Sequence, residues 1–124
     1  QHLGSLNSNT LLSVFYSLAD VFVIPSRQDN LPNTVLESMA CGTPVIGFDI
    51  GGIPDMVRPG ETGWLAEPES VRSLKETTQT ALSDEEARTR MGKNCRNVVE
   101  REYTLGVQAN AYRTLYQYVT RKQK

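Results

Sequence analysis

Apolar residues recur along the chain in two rhythms. Leu11, Leu12, Phe15, Tyr16 and Ala19 follow at helical spacing behind Asn7-Ser8-Asn9-Thr10, a run of N-cap residue types. The rhythm then changes. Val21-Phe22-Val23-Ile24, between Asp20 and Pro25, is a continuous run of β-formers stopped by proline, as in a strand buried on both faces of a parallel sheet. A second helix is expected from Pro32, which suits the first helical position, to Gly42, which suits the position just past the end. Val35, Leu36, Met39 and Ala40 would form its buried face. Val45-Ile46-Gly47-Phe48, after Thr43-Pro44, predicts a second buried strand. Gly51–Val57 predicts a glycine turn into one or two helical turns, and Pro59–Gly63 is a turn cluster. Trp64-Leu65-Ala66 fits a short edge strand, and His2–Leu6 the tail of another.

From Glu69 onward the pattern is helical. Val71, Leu74, Lys75, Thr78 and Leu82 mark one helix. Ser83-Asp84-Glu85-Glu86 caps the next, with acids at its positive end, and that helix runs to about Tyr103. Thr104 starts a last helix with Tyr112, Leu115, Tyr116 and Val119 on its apolar stripe. Alternating strands and helices give an α/β fold with a parallel sheet and right-handed crossovers. Two central strands and two short ones fall below the usual count of about 4–6. The expected architecture is a partial doubly wound, Rossmann-like sheet that lacks its first strands and carries C-terminal helices. Residues 1–124 would then form a single partial domain.

Composition narrows the function. A net charge of −1 over 124 residues gives no electrostatic case for nucleic acid as a partner. No apolar run approaches the roughly 20 residues of a membrane span, which leaves peripheral membrane contact open. With neither a basic n-region nor an apolar h-region among its first residues, no signal peptide is expected. Cys41, in an apolar run, is expected to be a small buried hydrophobe, and Cys95 lies in a charged helix pattern. Two reduced thiols without ligand spacing fit a cytoplasmic location. The single histidine, His2, leaves little for a metal site or a Ser-His-Asp triad, so no metal is expected.

Chemistry concentrates in Asp29–Phe48, "DNLPNTVLESMACGTPVIGF". In open α/β sheets ligands bind beyond the carboxyl ends of the strands. Ser26–Leu31 is a loop at such an end, and the helix after it points its anion-attracting N-terminus there. Asn30, Asn33 and Glu37 share one helical face by spacing. A carboxylate can accept two hydrogen bonds from the vicinal diol of a ribose, so Glu37 reads as a sugar-hydroxyl acceptor, with Asp29 nearer the phosphate end. Gly51-Gly52 would line the same edge, where glycine lets backbone approach a ligand. Glu37 is thus expected beside Asn33 and near Gly51-Gly52 in one crevice. Taken singly, each residue has a plainer reading. Glu37 fits a solvated helix face, Asp29 a turn or cap, Gly51-Gly52 a turn, Arg27 a solvated cation and Trp64 a hydrophobic cover.

Together, the residues of "ADVFVIPSRQDNLPNTVLESMACGTPVIGFDIGGIPDMVRPGETGWL" resemble the nucleotide-sugar half of the retaining family 4 glycosyltransferases, which have the glycosyltransferase-B fold. Asp29 and Glu37 occupy the places of that family's two acids, ahead of a small-residue run and Gly-x-Pro-Val. The resemblance implies that Glu37 binds the ribose of a nucleoside diphosphate and that Asp29 faces the donor sugar in the catalytic position. Asn30, Leu31, Pro32, Asn33 and Thr34 would contact sugar and diphosphate. The implied reaction transfers a sugar, of hexosyl type, from a UDP-, GDP- or ADP-sugar to an acceptor such as a polysaccharide or lipid-linked glycan, with retention. No cofactor beyond the donor and no metal is implied.

The chain departs from the family in having Asp as first acid and Asn-Leu-Pro-Asn in place of Gly-Phe-Gly-Leu. The family's diphosphate-bracing Arg and Lys, and its acceptor domain, would lie upstream of Gln1. The expectation is therefore a donor-binding fragment, inactive alone and prone to form a homodimer through Val21–Ile24 or the Leu11–Tyr16 helix. The rival readings are a non-catalytic interaction module that keeps the fold, and a different α/β nucleotide-binding module.

Overall fold

A computed structural model of the chain describes Gly4 and residues 8–121. The strand tail expected at Leu3–Leu6 lies largely outside those residues. Helix α1 (Asn9–Leu18) leads into strand β1 (Phe22–Ile24), then α2 (Asn33–Ala40), β2 (Val45–Phe48), the short α3 (Ile53–Met56) and β3 (Gly63–Ala66). Three helices follow: α4 (Val71–Ser83), α5 (Glu85–Glu102) and α6 (Leu105–Arg121). Among the described residues the sheet has three strands in the order β1-β2-β3, all parallel. Val45 pairs with Phe22 on one side and Gly63 on the other.

All four residues of β2 are buried, as a central parallel strand requires. Around it Ile24, Val35, Met39, Ile53, Met56, Val57, Cys95 and Val98 form one core. Pro32 is the N-cap of α2 rather than its first helical residue. Gly42 does end that helix, at a φ of 81°. Its N–H donates to the Met39 carbonyl and the Thr43 N–H to the Ser38 carbonyl, both at 3.0 Å. These are the two bonds of a Schellman cap.

Several expected faces are corrected. In α2 the buried residues are Val35, Ser38 and Met39, while Ala40 is exposed. Ser38 is tolerated inside because its hydroxyl donates to the Thr43 carbonyl at 3.1 Å. In α4, Val71 and Leu82 are exposed, and Ala81 is the buried residue. Val71 is the first helical residue, and the inward phase is set by Leu74, Thr78 and Ala81. Cys41 is only half-buried, whereas Cys95 is buried, with its thiol against the Thr62 carbonyl at 3.1 Å. Burial pushes the Cys95 thiol up to about 12, so it stays protonated. Helix α6 contributes no buried residue, and its predicted stripe of Tyr112, Leu115, Tyr116 and Val119 is exposed.

Two backbone approaches set the layout. A Cβ on Gly92 of α5 would lie 2.3 Å from the Gly42 carbonyl oxygen, so the end of α2 and the middle of α5 touch backbone to backbone. A Cβ on Gly51 would lie 2.2 Å from the Asp29 carbonyl oxygen, and one on Gly52 only 1.5 Å from that of Asn30. The Gly52 N–H donates to the Asp29 carbonyl at 3.0 Å. The glycine pair thus holds the loops after β1 and β2 together. Gly52→Ala is therefore expected to destabilise the protein by about 1–3 kcal/mol, the usual cost of forced overpacking. Urea unfolding measures it. A variant as stable as the parent would mean that the two loops do not touch in solution.

Helix α5 is also fastened by charge. Arg58, between α3 and β3, donates through both terminal nitrogens to Glu102, with Nη1–Oε1 at 3.2 Å. The Arg58 side-chain hydrogen bond, then that of Arg101, holds the Glu102 carboxyl down at about 2. A depressed carboxylate stabilises the fold above its unfolded pKa and loses that contribution as pH falls through the folded value. Stability from this pair should therefore be full above about pH 4.5 and fade towards pH 2. Both side chains are about a third exposed, so screening limits the effect to about 1 kcal/mol. Denaturation of Glu102→Gln and the parent should differ at pH 6 and converge near pH 2; a gap independent of pH would refute the assignment.

Candidate functional site

Because the three strands are parallel, their carboxyl ends share one edge of the sheet, and the loops leaving them enclose a cavity of about 850 Å³. The loop after β1 supplies Arg27, Gln28, Asp29 and Asn30, the loop after β2 supplies Ile50 and Gly51, and the loop after β3 supplies Glu69. Such an edge is where open α/β sheets bind ligands. Asp29 is half-buried here, while Arg27 and Asn30 are exposed.

Helix α2 starts from the same loop. The starts of α1, α4, α5 and α6 are each capped by a side-chain oxygen, from Ser8, Ser70, Asp84 and Thr104 respectively. Helix α2 has Pro32 at its N-cap and no side-chain cap. Its first N–H groups, at Asn33 and Thr34, are left facing outward with the positive end of the helix dipole. Asn33, Thr34 and Leu31 are exposed, and Pro32 is buried.

Glu37 stands four residues past Asn33, about 6 Å along the helix axis. It does not share the cavity of Asp29. A second cavity of about 320 Å³ lies between α1 and α2, lined by Asn9, Leu12, Ser13 and Tyr16 from one helix and Glu37, Ala40 and Cys41 from the other. The expectation of one crevice holding Glu37 with Gly51-Gly52 is thereby corrected. Burial of Val35 and Met39 fixes the rotation of α2, and Glu37 lies opposite them on the helical wheel. It is exposed, and its Oε2 accepts from the Tyr16 hydroxyl at 3.3 Å. Burial, then the Glu37 charge, raises the Tyr16 phenol above its ordinary value, so it remains a donor at neutral pH.

Two contributors were missed in the sequence. Tyr16 looked only like an apolar helix position, and nothing local marks it as a partner of Glu37. Glu69 has a φ of 58°, rare for a residue with a side chain. Its place after the third strand was a usable signal, since the loop after every parallel strand opens on the same edge. Among the described residues no group of three His, Cys, Asp or Glu side chains could hold a metal ion, and no helix is long and apolar enough to cross a membrane.

Comparison with known proteins places this geometry in a family. Residues 1–98 match the model of the family described as "Glycosyl transferases group 1". The chain is 32% identical over 108 residues to N-acetyl-alpha-D-glucosaminyl L-malate synthase of Bacillus anthracis, covering 87% of this chain and 28% of that protein. It superposes on sucrose-phosphate synthase from Thermosynechococcus elongatus with a TM-score of 0.80 and 35% identity, over 90% of this chain and 28% of the other. The Anabaena protein HepE, solved in complex with UDP, shares the fold with a TM-score of 0.73 at 21% identity, over 83% of this chain and 29% of that one. The chain thus spans well under a third of the length of each. It belongs to the group 1 glycosyl transferases.

Proposed function

We propose that this chain is the donor-binding part of a retaining glycosyltransferase, which receives a nucleoside-diphosphate sugar along the start of α2. The observation that carries the reading is the uncapped start of α2, the exception among the long helices, at the carboxyl edge of the sheet beside Asp29. A diphosphate would accept from the Asn33 and Thr34 N–H groups, as anions do at helix starts. Arg27 would add positive charge from the cavity wall. The ribose would lie further along α2, where Glu37 accepts from its diol, and the sugar would lie over Asn30 and Leu31 towards Asp29. The two cavities then hold the two ends of one extended ligand. Gly51 and Gly52 would serve it indirectly, by holding the Asp29–Asn30 backbone in place.

In the reaction, the bond between the anomeric carbon and the diphosphate oxygen breaks. An acceptor hydroxyl oxygen bonds to that carbon on the same face and passes its proton to the departing diphosphate oxygen. Charge growing on the departing diphosphate is offset by the helix N–H groups, a stabilisation that is largest where the donors are already oriented. Asp29 faces the sugar and acts on its orientation and on the positive charge that develops at the ring. No cofactor besides the donor enters this scheme. An acceptor-binding part would close over the cavity. The edge of β1 and the exposed Leu11, Val14 and Phe15 of α1 would meet that part or a second copy of the chain.

Glu37→Gln is expected to weaken nucleotide binding by about 1–3 kcal/mol, the range for a hydrogen bond to a charged group. In a full-length parent that carries the acceptor-binding part, Asp29→Asn should lower turnover at least about tenfold, a barrier change of about 1.4 kcal/mol, with little loss of binding. Calorimetry with UDP, GDP and ADP, and initial rates with the matching sugar donors, separate the two. Small and equal effects of both substitutions would mean that the acids are ordinary surface residues.

A further inference from the structure

Tyr16 is held at three points. Its backbone carbonyl accepts from the Thr43 hydroxyl at 2.5 Å, and Thr43 is itself buried. Its ring meets Phe22 of β1 edge to face, with centroids 5.5 Å apart and planes at 84°. Its hydroxyl donates to Glu37 Oε2. Backbone and ring are thus tied to the strand–helix layer, and the hydroxyl is carried to a fixed place beside α2.

The Glu37 carboxylate by contrast has no other anchor among the described residues: it enters no ion pair and no second hydrogen bond. An exposed glutamate with that freedom loses side-chain entropy whenever a ligand orders it. At 3.3 Å the bond from Tyr16 is longer than most hydroxyl–carboxylate bonds, so it biases the carboxylate rather than locking it. It also occupies one lone-pair site of Oε2 and leaves both sites of Oε1 open.

We infer that Tyr16 is a positioning residue for ribose recognition: its hydroxyl turns the Glu37 carboxylate so that Oε1 meets the ribose diol of the donor nucleotide. This rests on the reading of Glu37 as the ribose acceptor. The raised phenol keeps its proton across the neutral range, which the role requires. Side-chain freedom removed in the unliganded protein is no longer lost on binding, so the bond raises affinity for ribonucleotides in particular.

The test compares UDP, GDP and ADP with their 2′-deoxy counterparts by calorimetry on the protein and three variants. The parent should bind the preferred ribonucleotide about tenfold more tightly than its deoxy form, as loss of one hydrogen bond to a carboxylate implies. Tyr16→Phe keeps the ring and should weaken ribonucleotide binding more than deoxynucleotide binding, so that the ratio falls to about threefold or less. Glu37→Gln should bring the ratio close to one. A Tyr16→Phe ratio equal to the parent's would overturn the positioning role and leave the Glu37 reading intact. No ribose preference in the parent, or no nucleotide binding, would overturn the Glu37 reading and the inference with it. Tyr16→Ala should lower the melting temperature and Tyr16→Phe should not; an equal loss in both would make the hydroxyl structural and overturn the proposal.

Discussion

Val45–Phe48 is bonded to a parallel neighbour on each side, and all four of its residues are buried. Parallel pairing cannot be closed by a tight hairpin, so each strand must be followed by a connection that returns along the sheet. Helix α2 makes the first return, and α3 with its flanking turns makes the second. The same constraint places the ends of all three strands at one edge. The convergence of Asp29, Gly51 and Glu69 from three separate loops follows from that direction alone, without any attraction between them.

Much of this was legible because burial on both faces leaves a plain mark. Val45-Ile46-Gly47-Phe48 has no polar residue, and its strand begins and ends where the sequence places it. Gly42 was legible for a different reason: a helix end that turns into the left-handed region selects glycine. Helix phase was harder to see. Val71 and Leu82 look as apolar as Leu74, yet they lie outside the stripe that packs, and a serine in α2 replaces the expected alanine. A buried polar side chain depends on a partner brought close by the fold, and for Ser38 that partner is the Thr43 carbonyl beyond the helix end. The site shows the same limit. Asp29 was visible from its place after a strand, but the separation of Glu37 from the glycine pair depends on how Val35 and Met39 rotate α2.

That rotation changes the meaning of the two acids. In separate cavities, each carboxylate can meet a different part of a long ligand. The glycine pair, which looks in sequence like a phosphate-approach element, acts on the protein's own backbone. It lets the β2 loop press on the Asp29 loop so closely that no side chain fits between. Placement of Asp29 thus depends on what is missing at the next loop.

The third loop arrives by another route. The Ser70 N–H donates to the Glu67 carbonyl, the Ser73 N–H to Ser70 Oγ, and the Glu67 N–H to Ser73 Oγ. These bonds cap α4 and tie its first turn back to the end of β3. The chain between them has to reverse within a few residues, and Glu69 takes the left-handed conformation that the reversal demands. For a residue with a Cβ this costs about 1–2 kcal/mol, and surrounding bonds have to impose it. Glycine would meet the turn without that cost. What Glu69 adds is a carboxylate on the wall of the cavity, opposite Arg27 and Asp29 in the chain's layout, at a position fixed by the capping of α4.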